Sequence, residues 1–268
     1  MMSNTRSSPA KTKNPLLAER PREQPLDSNL DWLKKHGESS AKSPQSLALL
    51  LLGGTGPDDL RLRVAQSHVR HDMTPSSWSH VVMMEPSPRG LTERTAREVS
   101  LTPPKGFAFP PRTNGLQVAN LETYADPQRY PNIAVLHIPL PADPEGEAKG
   151  LPTPLEHVQQ MLGAFPFQRG VLDVVQLITL WLPFVWGVGA TPNPLLEGHG
   201  IPSAAMVEAI LAAAGYDISP SVSSRASCPE TIWQAARWWH DYLAREGAPG
   251  AIQGAYTAPH SLCFGSHD

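Results

Sequence analysis

Cysteine is scarce in this sequence: Cys228 and Cys263 are the only two among 268 residues. Two such residues make neither a disulfide framework nor a cysteine metal cluster. Charge of either sign is also in short supply, with 22 Lys and Arg against 25 Asp and Glu and a net charge of -3. A nucleic-acid binder presents a basic surface, so no nucleic-acid partner is expected. Long hydrophobic runs are missing as well. "SLALLLLGG" (46–54) is apolar, but it is far short of the ~20 residues that a transmembrane helix needs. The opening residues show no charged-then-apolar leader, and a cytoplasmic location is the expectation. No Lys-Ser/Thr follows the glycines of "LLGGTG" (51–56), so that stretch reads as a turn rather than a phosphate loop. No cofactor is expected.

Proline, by contrast, is abundant. The chain has 29 prolines, against the roughly 5% of average usage, which implies many irregular connections. Hydrophobic residues make up 40%, enough for a core in one medium domain. Residues 1–44 are rich in Ser, Pro, Lys, Arg and Glu. Such composition buries too little surface to offset chain entropy, so a disordered tail is expected there. Within it "NLDWLKKHG" (29–37) reads as a short helix or a docking peptide. A domain is expected over 45–250, and a second tail over 251–268.

The fold class expected is α+β: a small, mostly antiparallel sheet with packed helices. "DDLRLRVAQS" (58–67) alternates Leu60, Leu62 and Val64 with polar residues, the period of a half-buried strand. "SHVVMM", "REVSL" (97–101), residues 116–118 and "IAVLHIPL" read as further strands, with a helical turn at "LETYADPQRY" and a charged loop at "EGEAKG". Residues 153–187 look helical, and the part from 170 is apolar nearly all round. A buried helix is the expectation, with an interfacial, lipid-facing helix as the alternative. "GIPSAAMVEAILAAAGY" (200–216) is the clearest helix, with Pro202 in the first turn and Gly215 past its end. "CPETIWQAARWWHDYLAREG" (228–247) is a second.

Several side chains could carry chemistry. His80 opens an apolar strand after a Pro-Ser-Ser-Trp turn, as a general base or as a hydrogen-bonded structural residue. A base needs a partner for its second ring nitrogen. Glu98 is the candidate, with Asn114 as a polar substitute. Ser203 stands at the start of the clearest helix. Cys228 precedes Pro229 at another helix start, where the dipole could activate a thiol or where the residue could simply be small. Cys263 reads as incidental. His68, His71 and Asp72 cluster in "SHVRHD" (67–72), but no paired ligands complete a zinc spacing, so no metal is expected. Trp233, Trp238 and Trp239 line a groove or pack a core.

The order of these pieces resembles the circularly permuted papain-like hydrolases, related to the NlpC-type cell-wall peptidases and more distantly to the lecithin:retinol acyltransferase group. "DDLRLRVAQS…WSHVVMM" looks like the family's opening and histidine strands, and "REVSL…NGLQVANLETYADPQRYPNIAVLHIP" like its polar third position and following strand. "NPLLEGHGIPSAAMVEAILAAAGYDISP" resembles the nucleophile helix, and "CPETIW" stands in place of the usual tail. The likeness covers about 55–235. It implies a Ser203–His80–Glu98 constellation acting on an amide or ester carbonyl, with the Ser203 amide helping at the oxyanion. It also implies peptide, peptidoglycan-like or acyl-lipid substrates.

The chain departs from the family at one point: Ser203 stands where the family has cysteine, four residues before Val207. A thiolate is favoured at a helix N-terminus beside an imidazolium, whereas a serine must lose its proton to a base during attack. Three readings follow: a serine nucleophile, a serine replacing a parental cysteine, or a pseudoenzyme that keeps the fold for protein binding with its N-terminal tail as the arm. A fourth is a lipid acyl-transfer or phospholipase-like protein at a membrane surface, with 170–189 dipping into lipid.

Overall fold

Strands β2 (Leu47–Gly53) and β6 (Asn132–Ile138) are buried along their whole lengths. Both are near-continuous apolar runs, and both are covered on two faces, which is why they do not alternate. They pair antiparallel, with Leu50 opposite Val135. The computed structural model describes residues 17–23, 27–38, 46–87, 90–102, 113–140, 149–168, 172–220, 222–223, 226–246 and 252–261. Around the central pair the sheet has seven strands in the order β1-β7-β6-β2-β3-β4-β5. The others are β1 (Leu17–Glu19), β3 (His80–Met84), β4 (Ala96–Val99), β5 (Leu116–Val118) and β7 (Gln253–Thr257). Only the β1–β7 pair is parallel. The fold is α+β, with a mostly antiparallel mixed sheet.

One sheet face, carrying Leu49, Leu51, Val81, Met83, Ala134 and Leu136, packs beneath most of the helices. The other, carrying Leu50, Val82, Met84 and Val135, is covered by Trp32, Leu33, Tyr124 and Tyr130. Trp32 and Leu33 belong to α1 (Asn29–Trp32) and the π-helical turn Leu33–Gly37 that continues it. The disordered tail expected over 1–44 is therefore corrected for residues 17–23 and 27–38, and the rest of that span lies outside the described residues. Composition misled because a few apolar side chains, Leu17, Trp32 and Leu33, dock on a surface made elsewhere in the chain. The tail expected over 251–268 is corrected for residues 252–261, where β7 lies between β1 and β6; residues 251 and 262–268 lie outside the described residues.

The strand expected at 58–67 is a helix, α2 (Pro57–Ala65). Pro57 at the first position and Asp58 and Asp59 in the first turn are helix-start signals. Asp59, Leu62, Arg63 and Gln66 are buried, a helical i, i+3, i+4, i+7 face that is mostly polar. The apolar residues alone therefore suggested the wrong period. Arg63 is fully buried and donates to the carbonyls of Ser76, Gly54 and His260.

The apolar helical region divides into α3 (Pro154–Ala164) and a run, α4, made of Val174–Gln176, the π-helical Leu177–Trp181 and Leu182–Trp186. Leu177, Trp181, Leu182 and Val185 face the core, while Val175, Ile178 and Trp186 are exposed. No helix among the described residues is long and apolar enough to cross a membrane. Helices α5 (Pro202–Ala213) and α6 (Pro229–Glu246) match the sequence expectation. Residues 145–148 of the expected charged loop lie outside the described residues.

Candidate functional site

Sheet register places the first two site residues. β3 and β4 pair antiparallel with Met83 opposite Arg97. Extending that register sets Glu98 opposite Val82, on the same face as His80 and within diagonal reach of it. His80 Nε2 and Glu98 Oε2 are 2.8 Å apart. On the other side, Gln117 of β5 is directly opposite Glu98, and its side-chain amide donates to Glu98 Oε1 at 2.9 Å. Tyr124, in the helical turn Leu121–Tyr124, donates its hydroxyl to Glu98 Oε2 at 2.5 Å.

Glu98 is 4% exposed. Burial works to raise its pKa, but the hydrogen bonds from His80, Tyr124 and Gln117 and the nearby imidazole outweigh that, leaving it below the ordinary carboxylate value. An ionised carboxylate only accepts. His80 therefore carries its proton on Nε2 and, in the neutral ring, leaves the Nδ1 lone pair open. Burial, together with the Glu98 charge, pushes the Tyr124 phenol well above its usual value, so it remains a donor.

Ser203 arrives from α5. Pro202 starts this helix and Ile201 caps it, so the Ser203 N–H is among the donors that a helix start leaves without an intrahelical carbonyl. Its hydroxyl accepts from the backbone N–H of Val81, the residue after His80, at 3.4 Å. Ser203 and His80 line a single cleft of about 50 Å³. The structure thus brings Ser203, His80 and Glu98 together from a helix and two strands. Ser203 as a whole is only 1% exposed, and the cleft volume is that of a water or two.

Asp58, Asp59, Ser79 and Tyr130 also line the cleft. Ser79 donates to Asp59 Oδ1 at 2.7 Å, and Asp59 Oδ2 lies 3.2 Å from the Arg129 guanidinium. Burial raises the Asp59 pKa, with Asp58 adding to it and the Ser79 and Arg129 contacts opposing. Gly54 packs against this carboxylate, where a Cβ would come within 2.2 Å of Oδ2. Sequence reading missed Asp59, Tyr124 and Gln117. Pro57-Asp58-Asp59 was the signal for the first, once read as a helix start; no local signal marks the other two.

The remaining candidates lie elsewhere. Asn114 sits at positive φ before β5 and donates to the carbonyls of Phe165 and Gln168, so it is no orienter of His80. Cys228 is fully buried, and that burial raises its thiol to about 11, more than its helix-start contacts offset. Burial thus works against an activated thiol at this helix start. Cys263 lies outside the described residues. His68 contacts the Ala65 carbonyl, and Asp72 holds Arg70 and Thr74. No group of three or more His, Cys, Asp or Glu able to hold a metal occurs among the described residues. Trp233 packs between Trp78 and Tyr256, and Trp239 donates to the Ile218 carbonyl. Trp238 is exposed and stacks on Tyr242.

No family model, curated protein or solved structure matches this chain.

Proposed function

We propose that this chain is an amide or ester hydrolase of the permuted papain-like kind, with serine in place of the family's cysteine. The observation that carries the reading is a carboxylate-held imidazole and a helix-start hydroxyl on one cleft. His80 Nδ1 would take the Ser203 proton as Oγ attacks a substrate carbonyl. The Ser203 N–H would stabilise the oxyanion, and Glu98 would stabilise the imidazolium as it forms. The proton then passes to the leaving group, and water, activated by the same imidazole, releases the acyl group. Peptide, peptidoglycan-like and acyl substrates all present a suitable carbonyl.

The small cleft and the covered hydroxyl favour a second reading, a non-catalytic binding module that keeps the hydrolase scaffold. The docked residues 17–23 and 27–38 leave it less free arm than composition suggested.

A fluorophosphonate probe separates the two. The hydrolase reading expects labelling at Ser203 that disappears in Ser203→Ala and in His80→Ala. A Ser203→Cys variant, carrying Cys263→Ser as well, should react with an iodoacetamide probe faster than the same variant with His80→Ala. Buried Cys228 should stay unmodified in the folded protein. Absence of labelling at residue 203 in both forms assigns the binding module.

A further inference from the structure

Three donors from three separate elements converge on the Glu98 carboxylate. His80 Nε2 and the Tyr124 hydroxyl share Oε2, at 2.8 and 2.5 Å, while Gln117 Nε2 takes Oε1 at 2.9 Å. A carboxylate with one partner can turn about its terminal bond and present either oxygen. Donors on both oxygens leave one orientation, and that orientation aims Oε2 at the imidazole. Tyr124 is itself fixed: it is 6% exposed, and its ring lies edge-on to Tyr130, with centroids 5.1 Å apart, and 5.8 Å from the ring of His80.

Behind Tyr124 stands the amino-terminal segment. Asn29, 1% exposed, donates its side-chain amide to the carbonyls of both Tyr124 and Tyr130, at 2.7 and 3.0 Å. Its backbone N–H donates to the Ala125 carbonyl at 2.9 Å. Arg22 donates to the Asn29 side-chain oxygen and to the Pro131 carbonyl. One buried side chain of α1 therefore clamps both ends of the 124–130 loop.

We propose that Tyr124 is a positioning residue that acts on His80 through Glu98, and that Asn29 of the amino-terminal segment holds Tyr124 in place. The catalytic meaning rests on the Ser203–His80–Glu98 reading, whereas the carboxylate–imidazole geometry stands without it. The hydroxyl does two things. It stabilises the anion, because a hydrogen bond donated to a carboxylate favours its charged form. It also denies Oε2 the freedom to rotate away, so the Nε2–H of His80 keeps one acceptor. A purely space-filling Tyr124 would do neither, and phenylalanine would replace it without consequence for Glu98.

The test is NMR of the full chain with labelled histidine and glutamate. In the wild type, the neutral His80 ring should show one tautomer, protonated on Nε2. Tyr124→Phe should raise the titration of the Glu98 carboxyl toward its ordinary value and bring in the second His80 tautomer. Asn29→Ala should move both signals in the same direction by less, and the double variant should go no further than Tyr124→Phe, since both act along one line of contact. Wild-type signals from Glu98 and His80 in Tyr124→Phe overturn the proposal. Should that variant fail to fold, Asn29→Ala decides by the same two signals. Absence of probe labelling at residue 203 in the wild type and in Ser203→Cys, with the NMR changes intact, would instead reject the hydrolase reading alone.

Discussion

Glu208 and His137 set up opposing dependences of stability on pH. Glu208 lies in α5, five residues after Ser203, and is 4% exposed. Burial raises its pKa from 4.5 to about 7, the nearby Ser219 and Ser227 hydroxyls opposing and Asp217 adding. His137 in β6 is also 4% exposed. Its Nε2 donates to the Gly37 carbonyl at 2.9 Å while Nδ1 is buried without a partner. Burial lowers its pKa from 6.5 to about 4, the Gly37 contact opposing and Arg94 adding. Each displacement, at 1.36 kcal/mol per pH unit, corresponds to about 3 kcal/mol of linked stability.

The signs are opposite. As pH rises from 4.5 to 7, unfolded chains release the Glu208 proton while the folded protein keeps it, so this contribution to stability falls. Between pH 4 and 6.5, unfolded chains bind a proton at His137 that the folded protein refuses, so the second contribution rises with pH. In the wild type the two largely offset one another across their shared range. Urea unfolding of wild type, Glu208→Gln and His137→Gln from pH 4 to 7.5 unmasks them. The stability of wild type minus that of Glu208→Gln should fall by about 3 kcal/mol as pH rises through this window. The corresponding difference for His137→Gln should rise by about the same amount. A difference that stays flat in pH would refute the assignment for the residue concerned.

Two further outcomes test the architecture. Arg63→Met removes the guanidinium that serves the Ser76, Gly54 and His260 carbonyls; urea unfolding should show a loss of about 3–5 kcal/mol, the scale of leaving buried polar partners unpaired. Gly254→Ala puts a Cβ 2.0 Å from the Val135 carbonyl oxygen, so β7 must shift away from β6, and hydrogen exchange should show lost protection in β7 and β1 while α3 and α5 keep theirs.

Strands β3 to β6 were legible from short apolar or alternating runs, as in "IAVLHIPL", whereas the equally buried run Leu47–Gly53 was read only as too short for a membrane span and not as the central strand it forms. Helix α5 was legible from Pro202 and its long buried face. Helix α2 was not, because its inward face is built from Asp59, Arg63 and Gln66, whose burial depends on partners at Ser79, Gly54 and Trp78. His80, Glu98 and Ser203 could be singled out by type and by place in an order of elements. Tyr124, Gln117 and Asn29 could not, since an ordinary tyrosine, glutamine or asparagine becomes a site residue only through the contacts it is given.

By itself the sequence determined strands β3 to β6 and the two longest helices, because these follow from local periodicity and helix-start residues, while the grouping of Ser203, His80 and Glu98 came only as what a resemblance in the order of elements implies. Tertiary structure alone decided that Trp32 and Leu33 leave a polar segment to cover the second sheet face while Leu17 joins the core on the first, and that β7 joins the sheet from what read as a tail. It also decided that Glu98 is pinned from three directions. The physical reason is common to all three: the stabilising partner lies beyond the reach of local periodicity, 18 to 26 residues away even for Glu98, and its effect exists only once water has been excluded between them.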